Sequence, residues 1–307
     1  MKKTFIMLAA VTLVLSATFF TLHLIEENEL SEEQEVIDDI FSEIIIENPT
    51  TKPNIEPMPE IEPTTSPNEE PTYPEQDLPI ISTTEPSEEG GTEATQPQPK
   101  PNPNLSSQVP AAIDINALKE KNKDAIAWIY IENSNVNYPI MSSEGNEYLN
   151  KNIYGETTKA GSIFSYNNQK YTSPENIDKN VVLYGHNLRT GTMFSHLNTI
   201  YADIGYLKNK TNEYIYIYTE ECILKYKIYA LYRIEKTENF SQVYFKGDSD
   251  FSEFCNMTYN RSKYKEFKPD FNSESTILTL VTCPRQNSKT YRMVLHAVLV
   301  DTAENNY

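Results

Sequence analysis

Two strand-like segments near the C-terminus constrain the fold of this chain more than any other feature. Residues 276–282 alternate branched apolar side chains with threonine, and residues 291–300 form a nearly continuous run of strand-forming residues. Both segments are predicted to be β-strands, so residues 284–290 become the loop between them. If the strands pair antiparallel, Cys283 and Arg292 lie at the open end of one hairpin, within side-chain reach of each other.

This pair of side chains indicates a reactive thiol. A cysteine beside a fixed positive charge loses its proton more easily, and the thiolate is the nucleophilic form. Arginine stays charged at any relevant pH and can also hydrogen-bond an oxyanion as it develops. Cys283 and Arg292 are therefore predicted to act together in catalysis.

The residues around this pair resemble a known family. Residues 279–283, TLVTC, and the downstream Arg292 are similar to the TLxTC motif and arginine of sortases. The segments LKEKNKDAIAWIYIENSNVNYPI, NEYLN, AGSIF, VVLYGHN and GTMFSHL occur in the order of the class B branch. The resemblance covers residues 113–300. It implies a mainly β fold with short helices: a closed sortase-type β-barrel, with a helix inserted before the cysteine strand.

The remaining local patterns agree with a mainly β domain. Apolar residues recur at helical spacing over residues 250–264, which would form the inserted helix. In the family this helix forms one side of the substrate groove. The residue pattern by itself indicates only a helix that packs on the barrel. Asp114 is predicted to cap a short helix that ends near Asn122. The other predicted elements are strands at 125–131 around Trp128, 160–165 and 180–184, a hairpin of 214–218 with 222–234, a helical turn at 146–150 and a short helix at 193–200.

Composition divides the chain into three parts, residues 1–25, 26–110 and 111–307. The middle part holds 21 acidic residues against two lysines, and 15 of the 19 prolines, so its charge of −19 accounts for the net charge of −18. Residues 48–110 have almost no large apolar side chain and cannot bury a core, so they are predicted to be a linker. In polyproline form, at about 3.1 Å per residue, this linker could reach roughly 195 Å. The third part is nearly neutral and gives no sign of nucleic-acid binding.

The N-terminal part is predicted to be a membrane anchor. Residues 5–25 contain no charged side chain apart from a possible His23, and Lys2 and Lys3 precede them. A helix of this length spans a hydrocarbon core, and the basic N-terminal flank places the C-terminal bulk outside the cell. A cleaved signal peptide is the alternative, with small residues at 16–18, but the apolar run continues past them.

The start of the linker contains a weaker helical pattern. Ile37, Ile40, Phe41 and Ile44 recur at helical spacing within an acidic segment. This segment is either a juxtamembrane helix that pairs with a copy of itself or a solvated acidic run that is helical only in part.

Four histidines compete for the role of catalytic acid and base. His23 belongs to the predicted anchor, and His196 lies inside a predicted short helix. His296 shares a strand face with Arg292 but is four residues further along, which at about 3.3 Å per residue is roughly 13 Å away. His186 follows a strand end through a glycine, and its neighbours in YGHN match the histidine motif of the family. His186 is therefore the predicted acid and base.

The chain has three cysteines, so at least one is unpaired, and an unpaired thiol in an exported protein suggests reactivity. Cys283 has the arginine and the loop position. Cys222 opens a predicted strand and Cys255 lies on an apolar helix face, where cysteine packs as a small hydrophobic residue. A disulfide between Cys222 and Cys255 is the alternative.

A cysteine and histidine pair with one arginine, and no cluster of metal ligands, implies covalent acyl transfer without a cofactor or metal. The resemblance makes the chain a transpeptidase of the cell surface in a Gram-positive-type bacterium. Cys283 would attack the threonine carbonyl of a sorting signal in an exported protein, Arg292 would stabilise the oxyanion and hold the peptide, and His186 would protonate the leaving amine. A peptidoglycan amine would then replace the sulfur, with His186 acting as the base. Leu280 and Thr282 are predicted to contribute to substrate binding by setting the strand position.

Three other functions remain open. A transpeptidase that polymerises pilins would use the same residues with a protein lysine as the nucleophile. A cysteine peptidase would release its product to water. A non-catalytic scaffold that spans the wall would need no reactive thiol.

Overall fold

The computed structural model describes residues 31–32, 34–46, 109–282 and 291–306 of the 307-residue chain. The chain divides into two compact units, the first ending at Glu43 and the second beginning at Ile44. Helix α1, residues 34–44, ends at this division, and the side chains of Ile37 and Ile40 are buried. In the described part of the chain, no helix combines the length and the apolar character needed to cross a membrane. The predicted anchor at residues 5–25 lies outside that part.

The second unit is built around a closed β-barrel, as the family resemblance implies. Its strands pair in the order β10-β8-β7-β3-β4-β5-β6-β9, and β9 pairs with β10 to close the ring. The β4–β5 and β6–β9 pairs are parallel, and the others are antiparallel. The eight strands are β3 (Ala125–Ile131), β4 (Asn137–Ser143), β5 (Ile163–Tyr166), β6 (Asn180–Tyr184), β7 (Tyr214–Thr219), β8 (Cys222–Glu235), β9 (Ile277–Thr282) and β10 (Tyr291–Glu304).

A separate two-stranded sheet lies at the start of this unit. Strand β1 (Ile45–Ile46) pairs antiparallel with β2 (Ala112–Ile113), and the amide of Asp114 donates to the carbonyl of Ile44 at 2.9 Å. The side chain of Asn305, just after β10, donates to the carbonyl of Ile113 at 3.3 Å. The second unit therefore includes β1, which lies long before β2 in sequence.

Short helices connect the strands. They are α2 (Ile115–Lys121), α3 (His196–Ala202), α4 (Asp248–Arg261) and three 3₁₀ helices (Glu147–Leu149, Ile204–Lys208 and Lys210–Glu213). Helix α2 begins where predicted, because the carboxylate of Asp114 accepts a hydrogen bond of 3.0 Å from the amide of Ala117. Amides in the first turn of a helix have no carbonyl partner within the helix, and this bond supplies one. The helix predicted at 193–200 starts later, at His196, since Met193 has a φ of +54° that a helix cannot contain.

Helix α4 is the inserted helix before β9, and its apolar side packs on β8. Phe251, Phe254 and Cys255 are buried as predicted, but Tyr259 is only half-buried, and Thr258 takes the fourth buried position. The Thr258 hydroxyl lies 3.0 Å from the hydroxyl of Tyr229 in β8, which explains how a polar residue is accommodated there.

Trp128 is fully buried in β3, as expected of a core anchor, and its indole Nε1 donates to the Oδ1 of Asn137 at 2.7 Å. Asn137 opens β4, a strand that the sequence analysis did not predict. β4 carries Pro139, which has no amide to donate, so its local pattern is weak for a barrel strand. Hydrogen bonding to β3 on one side and β5 on the other stabilises this strand despite its weak local pattern.

Candidate active site

Three neighbouring strands bring the predicted site to one edge of the barrel. Strand β9 lies between β6, with which it runs parallel, and β10, with which it runs antiparallel. The C-terminal ends of β6 and β9 and the N-terminal end of β10 therefore share an edge. His186 follows β6, Thr282 ends β9 and Arg292 is the second residue of β10. The ladder continues past β6, since the amide of Gly185 donates to the carbonyl of Val281 at 3.2 Å.

The register places one row of side chains across these strands. Tyr184 of β6 pairs with Val281 of β9, and Val281 pairs with Val294 of β10. Directly paired residues share a face of a sheet, and so do residues two positions apart on a strand. Arg292 is two positions from Val294 toward the edge, and His186 is two positions beyond Tyr184. Arg292 therefore lies on the face that carries the row, one step nearer the edge.

The ring of His186 is held by the backbone. Its Nε2 lies 2.8 Å from the carbonyl oxygen of Leu149. A carbonyl can only accept, so in the neutral ring the proton is on Nε2, and Nδ1 carries the lone pair. Burial lowers the pKa of His186 below its ordinary value, and the hydrogen bond to Leu149 partly counters this by favouring the charged ring.

The other two histidines of the described region, His196 and His296, are buried among packed side chains. His296 is fully buried in β10, where Nδ1 lies 2.8 Å from the hydroxyl of Thr279 and Nε2 lies 2.8 Å from the hydroxyl of Tyr232. His196 is buried in α3, with its ring edge-on to Tyr206 at 4.9 Å between centroids. Burial lowers the pKa of His196 to about 4 and, with a smaller effect of Arg261, that of His296 to about 3. His23 lies outside the described residues.

Arg292 is held deep in the wall of the barrel. It is only 4 % exposed, pairs with Ile234 of β8, and its Nη1 donates to the carbonyl of Tyr291 at 3.0 Å. A guanidinium is charged wherever it sits, and its charge acts more strongly in a buried setting than in water. This setting agrees with the role predicted for Arg292, which is to stabilise a developing negative charge.

Leu280 and Thr282, the predicted substrate-binding residues, are both buried within β9. Leu280 lies between Leu183 of β6 and Leu295 of β10 in the ladder. Its surroundings are those of a residue that fixes strand position, and its contribution to substrate binding stays a prediction.

Among the three cysteines, Cys222 and Cys255 are buried free thiols. Burial raises the pKa of Cys222 to about 11 and that of Cys255 to about 12, so neither forms thiolate readily at neutral pH. Cys283 lies outside the described residues, as does the loop predicted at 284–290. Within the part of the chain that the structure describes, no group of three or more His, Cys, Asp or Glu side chains could hold a metal ion.

One contact of the site has no signal in the sequence. The partner of His186 is the backbone carbonyl of Leu149, and every residue carries such a carbonyl. NEYLN resembles the family, but the resemblance does not show which atom of the segment matters.

Comparisons with known proteins agree with this fold. The family model described as Sortase domain matches residues 129–300. Sortase B of Listeria monocytogenes is 31% identical over 193 residues, covering 61% of this chain and 74% of the relative. Sortase B of Staphylococcus aureus is 27% identical over 181 residues, covering 58% of this chain and 71% of the relative.

Solved structures give the same result. The X-ray structure of Clostridium perfringens sortase B is 28% identical, with a TM-score of 0.54, and the match covers 61% of this chain and 100% of that one. A Staphylococcus aureus sortase B-substrate complex is 25% identical, with a TM-score of 0.55, and the match covers 61% of this chain and 84% of that one. The chain belongs to the sortase family, with relatives in its class B branch, and is a cysteine transpeptidase.

Proposed function

We propose that this transpeptidase cleaves a C-terminal sorting signal of exported proteins and joins the new carboxyl end to a cell-wall amine. The observation that supports this most directly is the row formed by Tyr184, Val281 and Val294. In sequence, the positions two residues further toward the edge are 186, which follows the end of β6, 283, which follows the end of β9, and 292, which lies in β10. Cys283 is the residue after Thr282, so we assign it to act between His186 and Arg292, whose strands flank β9.

These three residues suffice for acyl transfer. Transfer of the Cys283 thiol proton to Nδ1 of His186 gives a thiolate nucleophile and an acid in one step. The sulfur attacks the scissile carbonyl carbon, and the Arg292 guanidinium donates to the resulting oxyanion. When the intermediate collapses, the C–N bond breaks, Nδ1 gives its proton to the leaving amine, and a thioester remains.

The second half of the reaction reverses these roles. An amino group of a peptidoglycan precursor or cross-bridge attacks the thioester carbonyl and transfers a proton to Nδ1 of His186. The C–S bond then breaks, a new amide forms, and the proton returns to the sulfur. The histidine acts once as acid and once as base, so the enzyme is unchanged after one turnover.

The surroundings of the row supply a wall for the substrate groove. His296 lies on the same face of β10 as Arg292, and the ring of Phe254 in α4 meets His296 edge-on at 6.0 Å between centroids. Helix α4 therefore covers this face of the barrel away from the edge, and we assign it to one side of the groove. Residues 5–25 are assigned to the membrane, with the catalytic unit on the outer surface.

The test combines cells with purified protein. Mass spectrometry of wall-released proteins from cells with and without this chain identifies the substrates and the attached amine. The purified full-length chain in detergent should then form a thioester on Cys283 with the matching peptide and make more amide product as amine is added. Cys283→Ala should form no acyl-enzyme, and His296→Gln serves as the histidine control once circular dichroism shows that it is folded. Hydrolysis that added amine leaves unchanged would show a peptidase instead, and identical wall proteomes would refute the sorting function.

A further inference from the structure

Three segments that resemble the family meet beside His186. NEYLN contributes Leu149, AGSIF contributes Gly161, and VVLYGHN contributes His186 itself. Of these three segments, the proposed mechanism uses only the one that carries His186. The hydrogen bond of 2.8 Å from Nε2 to the Leu149 carbonyl is the contact through which the other two segments reach the site.

The Leu149 carbonyl is available because it lies at the end of a short helix. Leu149 is the last residue of the 3₁₀ helix Glu147–Leu149, and carbonyls in the last turn of a helix lack partners within it. Its own amide donates to the carbonyl of Asn146 at 3.0 Å, which fixes the direction of the peptide that follows.

Gly161 lies directly against this carbonyl. A Cβ atom at position 161 would lie 2.1 Å from the Leu149 oxygen, 2.7 Å from its carbonyl carbon and 2.9 Å from the oxygen of Tyr148. All three are backbone atoms, so they could not rotate away as a side chain would. The φ of Gly161 is +59°, which is also a conformation that favours glycine.

Ser162 holds the two segments in this close approach. Its amide donates to the carbonyl of Tyr148 at 2.8 Å, and its hydroxyl donates to the carbonyl of Lys151 at 2.8 Å. The backbone around Gly161 is thereby fixed on both sides of Leu149. A side chain at position 161 would have to displace the carbonyl that His186 uses.

We propose that Gly161 is a positioning residue for His186: by leaving room for the Leu149 carbonyl, it keeps the ring proton on Nε2 and directs Nδ1 to the reacting atoms. This inference rests on the proposed role of His186 in acyl transfer. If the carbonyl moved, the neutral ring could carry its proton on either nitrogen, and part of the enzyme would present an N–H where a proton acceptor is needed. The charged ring would also lose a hydrogen bond that supports it.

The experiment compares two glycine substitutions in the full-length chain. Gly161→Ala inserts a methyl group against the Leu149 carbonyl. Gly155→Ala is the matched control, because Gly155 has a φ of +79° in the same connection but no atom within 4 Å of an added Cβ. Both variants carry the strain of a positive φ, and only the first disturbs the carbonyl.

Nitrogen-15 NMR of labelled protein reports the tautomer of His186 without any substrate. The wild type and Gly155→Ala should show the proton on Nε2, and Gly161→Ala should show a mixture of the two tautomers. Alkylation of Cys283 by iodoacetamide, followed against pH, should show the His186 titration moving to lower pH in Gly161→Ala by about one unit. Turnover of the sorting peptide should fall about 10²-fold in Gly161→Ala and little in the control, since a displaced catalytic group loses about that much.

The wild-type spectrum alone can overturn the proposal, even if Gly161→Ala does not fold. A proton on Nδ1 in the neutral wild-type ring would refute it. A folded Gly161→Ala protein that keeps the Nε2 tautomer and the wild-type alkylation profile would refute it as well. If the tautomer changes as expected but no peptide is cleaved even by the wild type, the positioning role holds and the proposed sorting function fails.

Discussion

Replacing His296 should make the folded protein less sensitive to acid while leaving the chemistry intact. His296 is fully buried between β8 and β9, with both ring nitrogens 2.8 Å from hydroxyl groups. The imidazole ring contacts the rings of Tyr229 and Tyr232, at 5.9 and 5.5 Å between centroids, and the ring of Phe254 in α4. Burial and the nearby Arg261 charge lower the pKa of His296 to about 3. The folded protein therefore keeps this ring neutral.

The size of the effect follows from linkage between protonation and folding. The ordinary pKa of 6.5 applies to the unfolded chain, and the folded value is about 3. Between these values the unfolded state binds a proton that the folded state excludes, so stability is fully present above about pH 6.5 and is lost as the pH falls toward about 3. Each pH unit in this window removes about 1.4 kcal/mol, so this group alone removes about 2.7 kcal/mol between about pH 7 and about pH 4.5.

Urea unfolding at these two pH values measures the effect. His296→Gln should lower stability at neutral pH, since two buried hydroxyl groups lose their partner at about 1–3 kcal/mol each where glutamine cannot replace it. The loss between the two pH values, however, should be smaller than in the wild type by about 2.7 kcal/mol. His196→Gln tests a second buried histidine, whose pKa of about 4 also lies below pH 4.5 and therefore predicts a correction of nearly the same size. An unchanged pH slope in His296→Gln would refute the buried neutral ring, and lost turnover in the folded variant would refute the assignment of His186.

Three further outcomes are expected. Arg292→Lys should lower peptide turnover at least 10²- to 10³-fold, because lysine cannot offer two directed donors to the oxyanion and the peptide. Alkylation of Cys283 by a small neutral reagent should change much less. Near-normal turnover, or a parallel loss of alkylation, would contradict this role of Arg292. At neutral pH that reagent should modify Cys283 well before the two buried cysteines, as peptide mass spectrometry would show, and equal rates would argue against a reactive thiol. Replacing residues 47–108 by about five residues, which keeps the buried Val109, should preserve turnover and raise the stability of the β1–β2 pair. Hydrogen exchange of the Asp114 amide measures this stability, and faster exchange would contradict the pairing.

Segments with strong local periodicity were predictable from the sequence. Strands β3 and β6 occur with the predicted bounds, and β9 and β10 form the expected antiparallel pair. Helix α2 was predictable because a capping aspartate and a short apolar repeat specify a helix without reference to the rest of the chain. In each case the signal is contained within a few neighbouring residues.

The missed features depend on contacts between distant parts of the chain. β4 carries a proline and is stabilised by β3 and β5, and its pairing with β5 is parallel, which no local pattern specifies. The candidate site shows the same division. Side chains with distinctive chemistry, His186 and Arg292, stand out in the sequence, whereas the Leu149 carbonyl becomes visible only when Gly161 is seen to lie against it.

The β1–β2 pair changes how the length of the acidic linker is understood. The sequence predicts a spacer with a reach of roughly 195 Å. Strands β1 and β2 flank 65 residues, yet Ile46 and Ala112 are direct partners, so their Cα atoms are about 5 Å apart. While this pair is formed, the distance from Ile46 to the barrel is set by two strands and not by the linker. Closing so long a loop is unfavourable by about 2.3 kcal/mol relative to a loop of about five residues, from the logarithm of the ratio of lengths. Two strands of two residues each form few hydrogen bonds to offset this entropy. The hydrogen bond from the Asp114 amide and the burial of Ile113 also stabilise the pair. The stability of the pair is therefore expected to depend only weakly on further lengthening, because each doubling of the loop disfavours closure by only about 0.6 kcal/mol.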